Sequence, residues 1–138
     1  ITKGTVHHED ARHATKTGGR AIVVSNHGGR QLDGAPSTIR VLPEIVDAVG
    51  DKTEVFLDSG IRSGQDVLKA MALGAKGTFV GRAMAYGLGA GGEAGVTRAF
   101  DIIRKEADTT MALLGERDVT KLGPHNIYSN ELLRRQGY

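Results

Sequence analysis

Cysteine is absent from the chain, which removes disulfides, thiolate nucleophiles and cysteine-ligated metals from consideration. Tryptophan is absent too, and aromatic residues make up only 4% of the sequence, so no platform exists on which nucleic-acid bases could stack. The lysines and arginines are scattered, and the formal net charge is only +2 despite an isoelectric point near 9.1. Nucleic acid is therefore not an expected partner. No apolar run approaches the roughly 18 residues of a membrane helix, and no secretory leader pattern is visible. Proline is scarce as well, at three residues. The remaining composition, 39% hydrophobic and 25% charged over 138 residues, is that of an ordinary soluble globular domain.

Glycine is the residue in excess, 20 in all, clustered after strand-like runs as in structured loops that face a ligand. Ile1 to Gly4 reads as the end of a strand, and His8 to Thr17 as a polar helix closed by Gly18 and Gly19. Ala21 to Ser25 is the next strand. Pro43 is expected at the first position of a second helix, where its missing amide hydrogen is not needed, and Gly50 at that helix's end. Glu54 to Leu57 is a third strand. Ser63 with Asp66 forms a capping-box pattern, which predicts a helix from about Gly64 to Leu73. Gly77 to Val80 is a fourth strand. In the last helix, Val96, Phe100, Ile103, Ala107, Met111 and Leu114 recur on one helical face, an apolar stripe predicted to be core and to end at Gly115.

This succession of βα units indicates an α/β fold with a parallel sheet. A closed (β/α)8 TIM barrel takes about 250 residues, so the expected architecture is half of one. A strand already under way at residue 1, the lack of an initiator methionine and the bare edges of such a half-barrel lead to the expectation of a piece of a larger barrel. A free-standing doubly wound domain is the alternative.

The most informative segment is Ser25-Asn26-His27-Gly28-Gly29-Arg30-Gln31, directly after the apolar run Ala21 to Val24. The β-branched run reads as a buried strand, so the loop lies at its carboxyl end, where α/β folds gather their chemistry. Gly28 and Gly29 have no Cβ, so backbone can approach a ligand there and both flanking side chains can turn toward one point. Imidazole moves protons near neutral pH, and guanidinium clamps a carboxylate through two parallel hydrogen bonds. The His27/Arg30 pair therefore points to acid/base chemistry on a small acid. Asp58-Ser59-Gly60-Ile61-Arg62 and Gly81-Arg82 follow the last two strands, where barrels often hold a phosphate with backbone amides and a helix start. Lys3, at another strand end, can stabilise negative charge on a cofactor or substrate. His7, His8 and His13 sit on a polar helix without an acidic cluster, so no metal is expected.

Lys3-Gly4, Ser25 through Asp33, Asp58 through Arg62, Gly74-Ala75, Gly81-Arg82 and Met111 through Gly115 together resemble the FMN-dependent α-hydroxy-acid dehydrogenases and oxidases, which include L-lactate dehydrogenase, glycolate oxidase and mandelate dehydrogenase. Order and spacing agree from Lys3 through Gly115, the string Ser25 to Asp33 is the most specific part, and the wording is nearest the bacterial L-lactate dehydrogenases. The resemblance implies the C-terminal half of a TIM barrel, FMN as cofactor, and oxidation of a small, lactate-like L-2-hydroxy acid to the 2-oxo acid. His27 would be the catalytic base, and both His27 and Arg30 would contact the substrate. The resemblance leaves open whether His27 takes the hydroxyl proton or the α-proton. Lys3 would lie beside the flavin N1/O2 region, and Ser25 would contact the ring. The segment Asp58, Ser59, Gly60, Ile61 and Arg62 would hold the ribityl chain and phosphate, with Gly81 and Arg82 completing the phosphate site.

Two departures are small: Ser63 stands where many relatives carry arginine, and Ala83 where many carry proline. A larger one is that the family's amino-terminal half supplies two active-site tyrosines and an aspartate that pairs with the base, and none of these can be placed here. The expected division is a half-barrel over residues 1–115 bearing the site and a tail over residues 116–138. A homo-oligomer or a missing amino-terminal half is the expected partner, and the expected location is the cytoplasm, with membrane association only through an electron acceptor. The competing readings are another FMN- or phosphate-binding barrel, against which the His27/Arg30 pair argues, and a non-catalytic half-barrel that pairs through its open sheet.

Overall fold

Four strands, each followed by a helix, make up the computed structural model, which describes residues 1–128. The strands are β1 (Thr2–Thr5), β2 (Ala21–Val24), β3 (Glu54–Leu57) and β4 (Gly77–Thr78), and the helices α1 (His8–Lys16), α2 (Thr38–Val49), α3 (Gly64–Ala72) and α4 (Arg82–Leu114). The sheet is wholly parallel, in the order β1-β2-β3-β4. The end of the expected tail, residues 129–138, lies outside the described residues.

β2 is buried along its whole length, as an apolar run between two parallel neighbours should be. Its Ile22 and Val24 pair in register with Val55 and Leu57, and this face packs against Leu42, Ile45 and Val49 of α2, with Ala11 and Ala70 from the flanking helices. The opposite face carries the register line Lys3, Val23, Phe56 and Gly77. There the rings of Phe56 and Phe79 meet at 6.0 Å between centroids, and Phe79 is 52% exposed. Alternation along each strand thus gives one face covered by helices and an opposite face on which Val23 is buried, Phe56 half-buried and Phe79 exposed.

Helix α3 begins as the capping-box pattern predicts: Asp66 N–H donates to Ser63 Oγ at 3.2 Å and Ser63 N–H to Asp66 Oδ2 at 3.0 Å. Two expectations require correction. Pro43 does not start α2 but lies inside it, because the buried stripe Thr38, Leu42, Ile45 and Val49 begins before the proline and holds the helix against the sheet through it. The stripe on α4 is not core throughout: Ile103 is buried, whereas Phe100 and Leu114 are 46% and 42% exposed. Helix α3 has nine residues, about 14 Å at 1.5 Å per residue, half the length of the stripe from Val96 to Leu114, so it cannot cover the whole of it. Helix α4 also breaks at Gly91 and Gly92, where the backbone leaves the helical region and folds back so that Gly95 meets Gly87 backbone to backbone.

Candidate active site

All the strand-end loops leave the sheet on one side, and a cleft of about 620 Å³ opens between them. Lys3, His27, Arg30, Gly60, Ile61, Arg62, Gly81 and Arg82 line it, together with Asp58 and Ser59. Every residue singled out from the sequence for the site is therefore at this rim except Ser25, which is fully buried beneath it. The volume is that of a small-molecule site, commonly about 300–1,000 Å³.

The His27 loop is built by local hydrogen bonds that override backbone preference. His27, Gly28 and Gly29 stand at φ 55°, 70° and 73°, a left-handed run that costs little for glycine but is uncommon for histidine. Asn26 explains how it persists: its Oδ1 accepts from Gly28 N–H at 3.0 Å, and its Nδ2 donates to Pro36 O at 3.1 Å, closing the loop's two ends together. Beneath the imidazole lies bare backbone. The β1–β2 register shifts between Lys3 and Thr5, Gly4 adopts φ 104°, and a Cβ at Gly4 would lie 2.7 Å from His27 Cε1.

Ser25 is the hub under this loop. Its Oγ accepts from Lys3 Nζ at 3.1 Å and from His27 N–H at 3.2 Å. Lys3 Nζ lies 2.9 Å from Asp58 Oδ2, so the ammonium is held at the cleft wall by a carboxylate of the next-but-one strand. Burial by itself pushes the Asp58 carboxyl up, but hydrogen bonds from Ser25, Ser59 and Lys3 and the Lys3 charge outweigh it and hold the group below the ordinary carboxylate value. Asp58 is consequently ionised at neutral pH.

Two helices start at this rim, and their amino termini differ. Asp66 Oδ2 accepts from both Arg62 N–H and Ser63 N–H at 3.0 Å, while Glu106 Oε2 of α4 accepts from Gly64 N–H at 2.9 Å. The first turn of α3 is thus already occupied by carboxylates. Helix α4 begins after Gly81 with no side-chain cap, so its first amides and the helix dipole face the cleft open to an anion. The Arg82 guanidinium crosses the cleft to donate to Gly28 O, tying this phosphate-type corner to the His27 loop.

The cleft also contains residues to which the sequence had given no role. Gln31, Phe79, Val80 and Ala85 line it; Gln31 belongs to the His27 loop and was a visible signal, whereas Phe79 and Val80 read as strand but lie past the end of β4, and Ala85 sits in the first turn of α4. Thr38 is a second case: it is 1% exposed, and its hydroxyl donates to Asp58 O at 2.7 Å and Ser59 O at 2.9 Å. Nothing in the linear pattern marks that contact. Two of the three histidines take structural roles at the start of α1: His7 Nδ1 accepts from Glu9 N–H, its ring stacks on His8 at 4.5 Å, and His8 lies near Glu44. Among the described residues no cluster able to hold a metal is found, and no helix is long and apolar enough to cross a membrane.

The family model described as FMN-dependent dehydrogenase matches residues 1–129. An L-lactate dehydrogenase of Caulobacter vibrioides is 54% identical over 122 residues, 88% of this chain and 32% of that protein. Human 2-hydroxyacid oxidase 1 is 52% identical over 132 residues, 96% of this chain and 36% of that protein. A soluble mutant of the membrane-associated (S)-mandelate dehydrogenase from Pseudomonas putida superposes with a TM-score of 0.86 at 43% identity, covering 90% of this chain and 35% of that one. The chain spans about a third of the length of the relatives it matches, and its parallel βα units correspond to half of a TIM barrel.

Proposed function

Since the chain belongs to the FMN-dependent dehydrogenase family, whose cofactor is FMN, we propose that its strand-end cleft takes FMN beside a small, lactate-like L-2-hydroxy acid and that the acid is oxidised there to the 2-oxo acid. One observation carries the proposal: an imidazole, three guanidinium groups, a carboxylate-held ammonium and an open helix start share a single cleft. The donor set suits FMN, because Arg62, Arg82 and the amides at the start of α4 offer a phosphate charge and hydrogen bonds, while Gly60 and Gly81 leave open space beside them.

FMN, when bound, would take up the two electrons and the second of the two hydrogens that the substrate loses. The protein's own groups orient the acid and manage its protons. Arg30 binds the carboxylate through paired hydrogen bonds, fixing the carbinol beside His27. The His27 imidazole receives one proton as C–OH becomes C=O, and it is available to do so because His27 is exposed in the cleft. Lys3, oriented by Asp58 and Ser25, presents a positive charge to the flavin ring, and Ser25 stiffens that corner from below. Because the chain covers about a third of its relatives' length, the reading assigns the remaining site groups, including a carboxylate partner for His27, to further barrel segments. It places the activity in the cytoplasm, with electrons passed on to an acceptor.

Turnover of L-lactate by the whole FMN-loaded protein tests this. His27→Ala is expected to lower kcat by about 100-fold or more with flavin absorbance retained, the ordinary worth of a positioned base, whereas Arg62→Ala is expected to lose flavin on dilution. Normal turnover of every 2-hydroxy acid by His27→Ala would refute the assignment. The competing reading, a non-catalytic half-barrel associating through the face that bears exposed Phe79, predicts colourless protein that binds no FMN.

A further inference from the structure

The two non-glycine residues at positive φ among those described, His27 at 55° and Ser59 at 70°, stand on different loops, and a hydrogen bond between Ser59 and Gly28, the residue after His27, joins those loops. Ser59 Oγ accepts from Gly28 N–H at 3.1 Å and its proton goes to Asp58 Oδ1 at 2.6 Å. From this geometry we propose that Ser59 is a positioning residue for the His27 loop, set in place by Thr38; the idea rests on the reading of His27 as the base.

A left-handed backbone is unfavourable for any residue with a Cβ, and glycine would take it freely. Serine is nevertheless present, and what serine has that glycine lacks is the hydroxyl bridging Asp58 and Gly28. That bridge is useful only if Ser59 cannot drift, and Thr38 prevents drift. Thr38 is buried at the first position of α2, anchored by the sheet-facing stripe of that helix, and its hydroxyl donates to the carbonyls of both Asp58 and Ser59. A continuous path then runs from α2 through the Asp58–Ser59 backbone and the Ser59 hydroxyl to Gly28, whose neighbour is His27. Gly28 N–H is shared between Ser59 and Asn26, so removing the serine hydroxyl weakens the loop's restraint without abolishing it. The same hydroxyl bonds the carboxylate that holds Lys3, which couples the position of the imidazole to that of the ammonium.

Ser59→Gly separates positioning from mere structure, because it removes the hydroxyl while relieving the backbone strain. In the whole FMN-loaded protein it is expected to leave the denaturation midpoint unchanged or raised, to speed amide exchange in the segment 26–31 about fivefold, the worth of one ordinary hydrogen bond, and to lower kcat for L-lactate about tenfold with KM little changed. Thr38→Val is expected to reproduce the faster exchange, and Thr38→Ser to restore it. Unchanged exchange in 26–31 with Ser59→Gly overturns the proposal, as does faster exchange with unchanged kcat. If His27→Ala itself turns over normally, the base assignment fails instead, and the exchange data still decide whether Ser59 holds the loop.

Discussion

Gly4→Ala moves the imidazole without altering it. Gly4 stands at φ 104°, where an L-residue costs about 1–2 kcal/mol, and the new Cβ would lie 2.7 Å from His27 Cε1. Ordinary contact begins at 3.4 Å, so the ring has to retreat by the difference, about 0.7 Å. A misplacement of about 1 Å can cost 100-fold in rate, so turnover in the whole FMN-loaded protein is expected to fall by about 30- to 100-fold. Strain by itself has to be distinguished from collision. Gly18→Ala provides the control: Gly18 stands at φ 87° with nothing within 4 Å of where a Cβ would be, so it shares the strain and lacks the clash. Urea denaturation of both variants, with steady-state turnover at saturating L-lactate and flavin absorbance alongside, makes the comparison. Both should be destabilised by similar amounts, and only Gly4→Ala should lose turnover. Equal turnover in the two would refute the placement of the base over Gly4.

Gly64→Ala puts a Cβ 2.1 Å from Ala107 N and 2.4 Å from Ile103 O, both backbone atoms, so α3 and α4 must separate; a loss of about 1–3 kcal/mol is expected in urea denaturation, and an unchanged midpoint would contradict the packing. Asp58 ionises at lower pH folded than unfolded. Its ionised form therefore stabilises the fold above about pH 4, and that contribution is lost as pH falls through the folded-state value. Between about pH 5 and pH 3 the denaturation midpoint of the parent should drop further than that of Asp58→Asn, and parallel curves would contradict the Lys3–Asp58 linkage.

Much of the architecture was legible from local chemistry. β3 lies at Glu54–Leu57 as expected, because an apolar run bounded by polar residues admits few alternatives, and α3 begins at Gly64 because Ser63 and Asp66 satisfy each other's amides. The rim was legible for a related reason: in a parallel sheet every strand's carboxyl end faces the same way, so the strand assignments by themselves bring Lys3, His27, Asp58 and Gly81 to one side. What could not be read depends on tertiary contact. Pro43 inside α2 follows from the burial of Thr38 and Leu42 ahead of it, the exposure of Phe100 and Leu114 from the short reach of α3, and the role of Thr38 from a loop 20 residues away. Local propensity gave way in each case to packing.

The central claim is that one cleft at the carboxyl end of the sheet takes both the flavin and the acid. A structure of the whole FMN-loaded protein with a 2-oxo acid bound measures it directly. The account predicts the phosphate at the start of α4 within hydrogen-bonding distance of Arg82, the flavin ring against Lys3, and the acid's carboxylate on Arg30 with its carbonyl facing His27. Flavin bound away from Lys3, or an acid that touches neither His27 nor Arg30, would contradict it.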